Sequence, residues 1–237
     1  MKRMIKAATL LLAICMACAM PALAGGNLVL QEEKLYTFPL DYLGKDLFEY
    51  YALVKNTGDS TMALDEGHLA LSDKSSAVLF ENEDFLSMYP QALEPGETGV
   101  IALTDFIPLY GTKEGDVMTA LELFSNDGAF PAVVRFPASA VLSIQDKDDW
   151  LMAYLDAEIT NPTGGTVFDV SLSAFLRDAK GALLCVIGLD AYGAGVPSGG
   201  TMLLRTSLSS NLLEHILQNS LEPVSAEAFA FTETYDD

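Results

Sequence analysis

Cysteine, histidine and basic side chains are all scarce in this chain, and each shortage excludes something. Of three cysteines, Cys15 and Cys18 fall in an N-terminal segment that reads as a cleaved leader. Only Cys185 remains, so no disulfide forms within the mature chain, although small exported domains often rely on them. The two histidines, His68 and His215, stand far apart. With one cysteine they make poor material for a zinc site, which takes three or four ligands at close spacing. Lysine and arginine number 13 against 33 aspartates and glutamates. That balance repels phosphate backbones and anionic headgroups, which excludes nucleic-acid binding. The chain also lacks a Gly-x-Ser-x-Gly elbow, a P-loop and a zinc-peptidase helix motif. Gly193-Ala194-Gly195 runs into a turn at Pro197 rather than a helix, so it is no dinucleotide loop.

The leader has a clear form. Lys2, Arg3 and Lys6 precede an apolar run over residues 7–19, Pro21 breaks it, and Ala22-Leu23-Ala24 offers a small-x-small cleavage site. This predicts a secretory signal over 1–24, cut before Gly25. The run is too short for a transmembrane anchor, which needs about 20 apolar residues. A lipoprotein signal fits less well, because Leu12-Ala13-Ile14-Cys15 puts a bulky Ile where Gly or Ala belongs. The expected protein is therefore secreted and extracytoplasmic, with no membrane insertion after cleavage. Losing three basic residues leaves 10 against 33 acidic, a formal charge of −23, on 213 residues. That length suits two domains of about 100 residues each.

The remaining chain reads as one pattern written twice. Asn56-Thr57-Gly58-Asp59-Ser60-Thr61 ends one apolar run, and Asn161-Pro162-Thr163-Gly164-Gly165-Thr166 ends another 105 residues later. An internal repeat of that length points to two copies of one domain. Before the second Asn, Asp156, Glu158 and Thr160 alternate with Ala153, Leu155, Ala157 and Ile159. Alternate residues of a strand face opposite ways, so the apolar set faces the core. The same register buries Phe48, Tyr50, Ala52 and Val54 in the first copy. A slip of one residue would bury Asp156 and Glu158 unpaired.

The next strands correspond too. Val170, Leu172, Ala174 and Leu176 face inward, as do Leu69 and Leu71, while His68 faces out. Turns follow at residues 72–76 and 177–181, then short apolar runs at 77–80 and 182–187. Pro95-Gly96 and Ser198-Gly199 supply the positive φ of a tight turn before further strands. Final strands are expected at 117–124 and 224–231. Leu212, Leu213, Ile216 and Leu217 recur at helical spacing, which predicts one short helix within 208–221. The fold expected is all-β: two tandem immunoglobulin-like β-sandwich domains, at 25–140 and 141–237, with a short helix in the second.

An apolar strand ending in Asn56-Thr57-Gly58, followed by Leu93-Glu94-Pro95-Gly96-Glu97-Thr98, resembles bacterial extracytoplasmic immunoglobulin-like modules of the FxLYD type. In the second copy Asn161, Phe175-Leu176-Arg177-Asp178 and Gly181 carry the likeness, with Arg177 where the family name has Tyr. The match covers about 50 residues of each copy and consists of turn chemistry. It implies a β-sandwich at the cell envelope and brings no catalytic residues.

Little else points to chemistry. Cys185 lies in an apolar strand and reads as a buried, inert thiol, since a reactive one wants an electropositive, partly exposed setting. Asp146, Asp148 and Asp149, and likewise Glu81, Glu83 and Asp84, are acidic loops without an EF-hand pattern. No catalytic, cofactor-binding or metal residue is assigned, and no cofactor is expected. The one contrast between the copies is Tyr51 and Leu53, where the second copy has Asp156 and Glu158. On the outer face of the first sandwich, Tyr51 and Leu53 make a candidate partner contact. Alternatively, the segment 28–39 or the second domain covers them. The function expected is a non-catalytic binding or protein-interaction module with an extracellular or envelope partner, protein or glycan. Weak self-association is also compatible. A structural spacer or assembly subunit is the alternative, and a carboxylate-dependent hydrolase a more distant one.

Overall fold

Period-two alternation of apolar and polar residues sets most of this architecture. The computed structural model describes residues 28–82, 86–108, 111–126, 132–147, 150–221 and 223–234. The expected signal segment lies outside them. Among the described residues are fourteen strands and one α-helix, and no helix is long and apolar enough to cross a membrane.

The first half holds β1 (Leu28–Leu40), β2 (Lys45–Asn56), β3 (Met62–Asp73), β4 (Val78–Glu81), β5 (Met88–Tyr89), β6 (Ala92–Leu93), β7 (Thr98–Ile107) and β8 (Val117–Asn126). One sheet has the order β1-β2-β7-β5. In the other, β3 takes β4 and β6 and pairs along its length with β8. Phe48, Tyr50, Ala52 and Val54 are fully buried between these sheets with Leu69, Leu71 and Leu123, as the alternation requires. Each large apolar side chain buried this way contributes about 1.5–3 kcal/mol.

The second half holds β9 (Ala132–Lys147), β10 (Trp150–Thr160), β11 (Val167–Asp178), β12 (Leu183–Val196), β13 (Thr201–Ser207), α1 (Ser210–Gln218) and β14 (Pro223–Thr234). Its six strands run β12-β11-β14-β9-β10-β13. β9 pairs with β14 up to Pro137 and with β10 from Ala138 onward. Proline has no N–H to donate to a ladder, which suits a strand passing from one partner to another. The boundary expected at 140/141 falls inside this continuous strand, and Asp146, expected in an acidic loop, belongs to it as well. Ala153, Leu155, Ala157 and Ile159 are buried as expected, and so are Val170, Leu172, Ala174 and Leu176. Helix α1 turns Leu212, Leu213 and Ile216 inward and leaves Leu217 exposed, and the Ser209 hydroxyl caps it by accepting from Leu212 N at 3.1 Å.

The same pairings occur in both halves. β2 lies between β1 and β7, as β10 lies between β9 and β13. β3 takes β4 and β8, as β11 takes β12 and β14. The turns after β3 and β11 also agree in detail. Asp73 Oδ1 accepts from Ser75 N at 2.8 Å and Ala77 N at 2.9 Å, while Asp178 Oδ1 accepts from Lys180 N at 2.8 Å and Ala182 N at 2.9 Å. The left-handed position falls on Ser76 (φ 67°) in one and Gly181 (φ 83°) in the other.

Candidate functional site

Tyr51 and Leu53, expected on an exposed contact face, are buried at 8% and 2% exposure. The second half lies over them, so the proposed partner contact is an internal surface. Tyr36, Phe38, Tyr51, Leu53 and Val100 form one apolar cluster with Leu176, residues 183–186 and the buried face of α1. β2 therefore buries both its faces. Glu49, in the same outer row, is also buried. It accepts from Tyr51 Oη at 2.8 Å and from the capping hydroxyl of Ser209 at 2.5 Å. Burial, reinforced by the Glu49 carboxylate, pushes the Tyr51 phenol far above its ordinary pKa. The outer face expected on β10 is the wetter one: Glu158 is exposed and Asp156 pairs with Arg205 at 2.5 Å.

Polar contacts tie the halves together around this cluster. Tyr36 Oη donates to Leu184 O at 2.9 Å in a buried bond, and Arg177 grips both Glu32 oxygens at 2.7 Å. Arg135 bonds Glu97, and Ser173 Oγ donates to Tyr89 O at 3.2 Å. Ser173, which alternates with the inward Leu172 and Ala174, is fully buried at this contact.

His68 faces outward beside Glu66 at 3.1 Å, as its register predicts. His215 packs edge-on to Tyr36, with centroids 4.9 Å apart. Cys185 is buried, and burial, with Glu49 adding to it, raises its thiol well above the ordinary value. Of the two acidic loops, residues 83, 84, 148 and 149 lie outside the described residues. Among the described residues no group of three or more His, Cys, Asp or Glu side chains is placed to hold a metal ion.

A cleft of about 440 Å³ opens at one end of the junction. The first half lines it with Leu64, Asp65, Tyr89 and Gln91, among others, and the second with Asp169, Ser171, Asp190, Tyr192, Phe231 and Glu233. Local structure places each group. A register shift between Phe168 and Val170 leaves Asp169 in the left-handed region (φ 53°), with Oδ1 accepting from Gly193 N at 2.7 Å. Asp190 accepts from Ser171 Oγ at 2.5 Å and, on its other oxygen, from Tyr192 Oη at 3.3 Å. Glu233 Oε1 accepts from Gln91 N at 2.6 Å across the junction. Tyr89 lies on β12 where Gly188 has no side chain; a Cβ there would stand 3.3 Å from its ring.

The electrostatics follow from this crowding of acids. Burial raises the Glu233 carboxyl above the usual range, opposed by the Gln91 bond and reinforced by Asp190. Burial, then the Asp190 charge, raises the Tyr89 phenol, and Asp190 is the main cause of the rise at Tyr192. The cleft rejects anions and offers hydrogen-bond acceptors beside two phenol rings. Its residues come from positions as distant as 64 and 233, so no spacing motif could have announced them.

No family model matches the chain, and no curated protein matches it.

Proposed function

We propose that this protein is a secreted, non-catalytic binding module of the bacterial cell envelope, and that it binds through the cleft at the junction of its halves. The observation that carries the reading is the convergence there of groups from both halves: Tyr89 and Gln91 from one, Asp190, Tyr192 and Glu233 from the other. A concave site with a few fixed polar groups and shifted titrations is the default location of a ligand. Two tandem immunoglobulin-like sandwiches, similar to FxLYD-type modules, remain the reading of the scaffold. It is supported by the paired ladders of the two halves and by the matched turns at Asp73 and Asp178. The signal-like segment at 1–24 supports export.

Co-sedimentation of the mature chain with isolated bacterial cell-wall sacculi tests this. Wild type is expected in the pellet, while Ser171→Trp, which fills the cleft, and Tyr192→Ala stay in the supernatant. Equal sedimentation of all three, or none, overturns the reading. A rigid spacer is the second reading, favoured by the apolar cluster that both halves share.

A further inference from the structure

Resting on the assignment of the cleft as a binding site, we propose that its ligand is a saccharide, held with one ring face against Tyr192 and its hydroxyls donating to Asp190, Asp169 and Glu233.

The argument begins with an account of donors and acceptors. The hydroxyls of Ser171 and Tyr192 both point at Asp190, Gly193 N is spent on Asp169, and Gln91 N on Glu233. These bonds fix the carboxylates in orientation. A carboxylate has about four lone-pair sites, so each keeps acceptor capacity after the bond it has. The ligand must therefore bring donors.

Their spacing narrows the class. Four carboxylates line the cleft, yet no three acidic groups among the described residues come close enough to hold one ion. They are not placed to share one metal ion; they present acceptors on walls supplied by both halves. A molecule with donors distributed around a compact ring matches that layout, and a neutral polyol does so without needing the acids to be neutralised.

The aromatic groups supply the other half of the match. Tyr192 is 80% exposed, and its hydroxyl is anchored to Asp190, so an open ring face stands beside the acceptors. A sugar ring has the complementary character, a C–H face and a hydroxyl rim, and amphipathic aromatics serve such surfaces. Tyr89 is held on the opposite side of the junction by the close approach at Gly188. Both halves therefore contribute, which explains why the site exists only at their junction.

An immobilised array of neutral glycans, probed with the mature chain at low salt and again at about 0.5 M NaCl, tests the proposal. At the higher salt the screening length is about 4 Å. Wild type is expected to retain a subset of glycans at both salts. Tyr192→Ala should lose about tenfold in affinity, equivalent to about 1.4 kcal/mol. Tyr192→Phe should keep the ring contact and stay within about threefold. Asp190→Asn should also lose about tenfold or more. Retention unaffected by Tyr192→Ala overturns the proposal, as does retention of no glycan. Binding of spermidine in place of glycans, abolished by salt, assigns the cleft to an organic cation and equally overturns it. If sacculi sediment the protein but no glycan is retained, the saccharide assignment fails while the binding reading stands. If glycans are retained but sacculi are not bound, the envelope reading fails instead.

Discussion

Asn56 and Asn161 make matching hydrogen bonds at positions 105 residues apart. Each is buried, at 0% and 1% exposure. Asn56 Nδ2 donates to Ser60 O at 2.8 Å and Leu93 O at 2.9 Å, while Oδ1 accepts from Gly58 N at 2.9 Å. Asn161 Nδ2 donates to Gly165 O and Val196 O, both at 2.8 Å, and Oδ1 accepts from Thr163 N at 2.9 Å. The backbone groups of both are occupied as well, by Gly96 and Glu97 in one case and Gly199 and Gly200 in the other. A single amide side chain thus closes its own turn and pins it to the turn before the next strand.

This equivalence predicts equivalent energetics. Asn56→Ala and Asn161→Ala should each cost about 3 kcal/mol, because buried carbonyls and an N–H lose their partner. Asn→Asp at either site should cost at least as much, since the donor that meets two carbonyls becomes an acceptor. Urea unfolding of the four variants checks this; a cost below about 1 kcal/mol at either position would show that water replaces the amide there.

The aspartate turns give the acid limb of stability a defined sign. The Asp73 carboxyl is lowered chiefly by its bonds from Ser75 and Ala77, and the Asp178 carboxyl chiefly by the Ala182 N–H. A folded-state value below the unfolded one, about 3.9, stabilises the native state above that pH. The contribution is lost as pH falls through the lower folded value. Asp178→Asn should flatten the fall in stability below about pH 4. Thermal melts across pH 2–6 (about that window) measure it, with wild type losing more than the variant on acidification.

The docked face predicts an asymmetry between the halves. Leu53→Ala should cost about 2–4 kcal/mol, as for other buried leucines, and Leu53→Glu more, because it buries an unpaired charge. Glu158→Leu, on the exposed face of β10, should stay within about 0.5 kcal/mol. A fragment ending near residue 126 should bind the dye ANS, since Tyr36, Phe38, Tyr51 and Leu53 lose their cover. Equal effects of Leu53→Ala and Glu158→Leu would contradict the packing described.

Cys185 should resist thiol reagents in the native state. It is 1% exposed and its thiolate is disfavoured by burial and by Glu49. Labelling with Ellman's reagent should track global unfolding, accelerating in urea along the same curve as fluorescence. Fast labelling in buffer alone would require the second half to open locally.

Much of the scaffold was legible because strand register and turn type are local properties. Alternation in 152–160 and 170–176 needed no partner to be read, since a slip would bury Asp156 or Glu158. Asn56, Asn161, Asp73 and Asp178 announce turns through bonds to their own neighbours. Helix α1 was visible in four apolar residues at helical spacing. β1 and β9 were missed as strands. β1 alternates imperfectly around its bulge near Leu30, and β9 serves two partners in succession.

By itself the sequence determined which residues of β2, β3, β10 and β11 face their own core, where the chain turns, and that few groups are available for metal or thiol chemistry. Only the tertiary structure decided what an outward row means. Tyr51 and Leu53 face away from the core of their own half and into the second half, whereas Asp156 and Glu158 face out of theirs with no such cover. Their difference in character suggests a partner contact, and the face is instead covered by the second half of the same chain. The cleft arises in the same way. Asp65, Tyr89, Asp190 and Glu233 share no spacing, and they meet because the two packed halves leave a gap at the end of their contact. Periodicity is a short-range property of one strand, but the relative placement of two halves depends on apolar area buried between residues far apart in the chain.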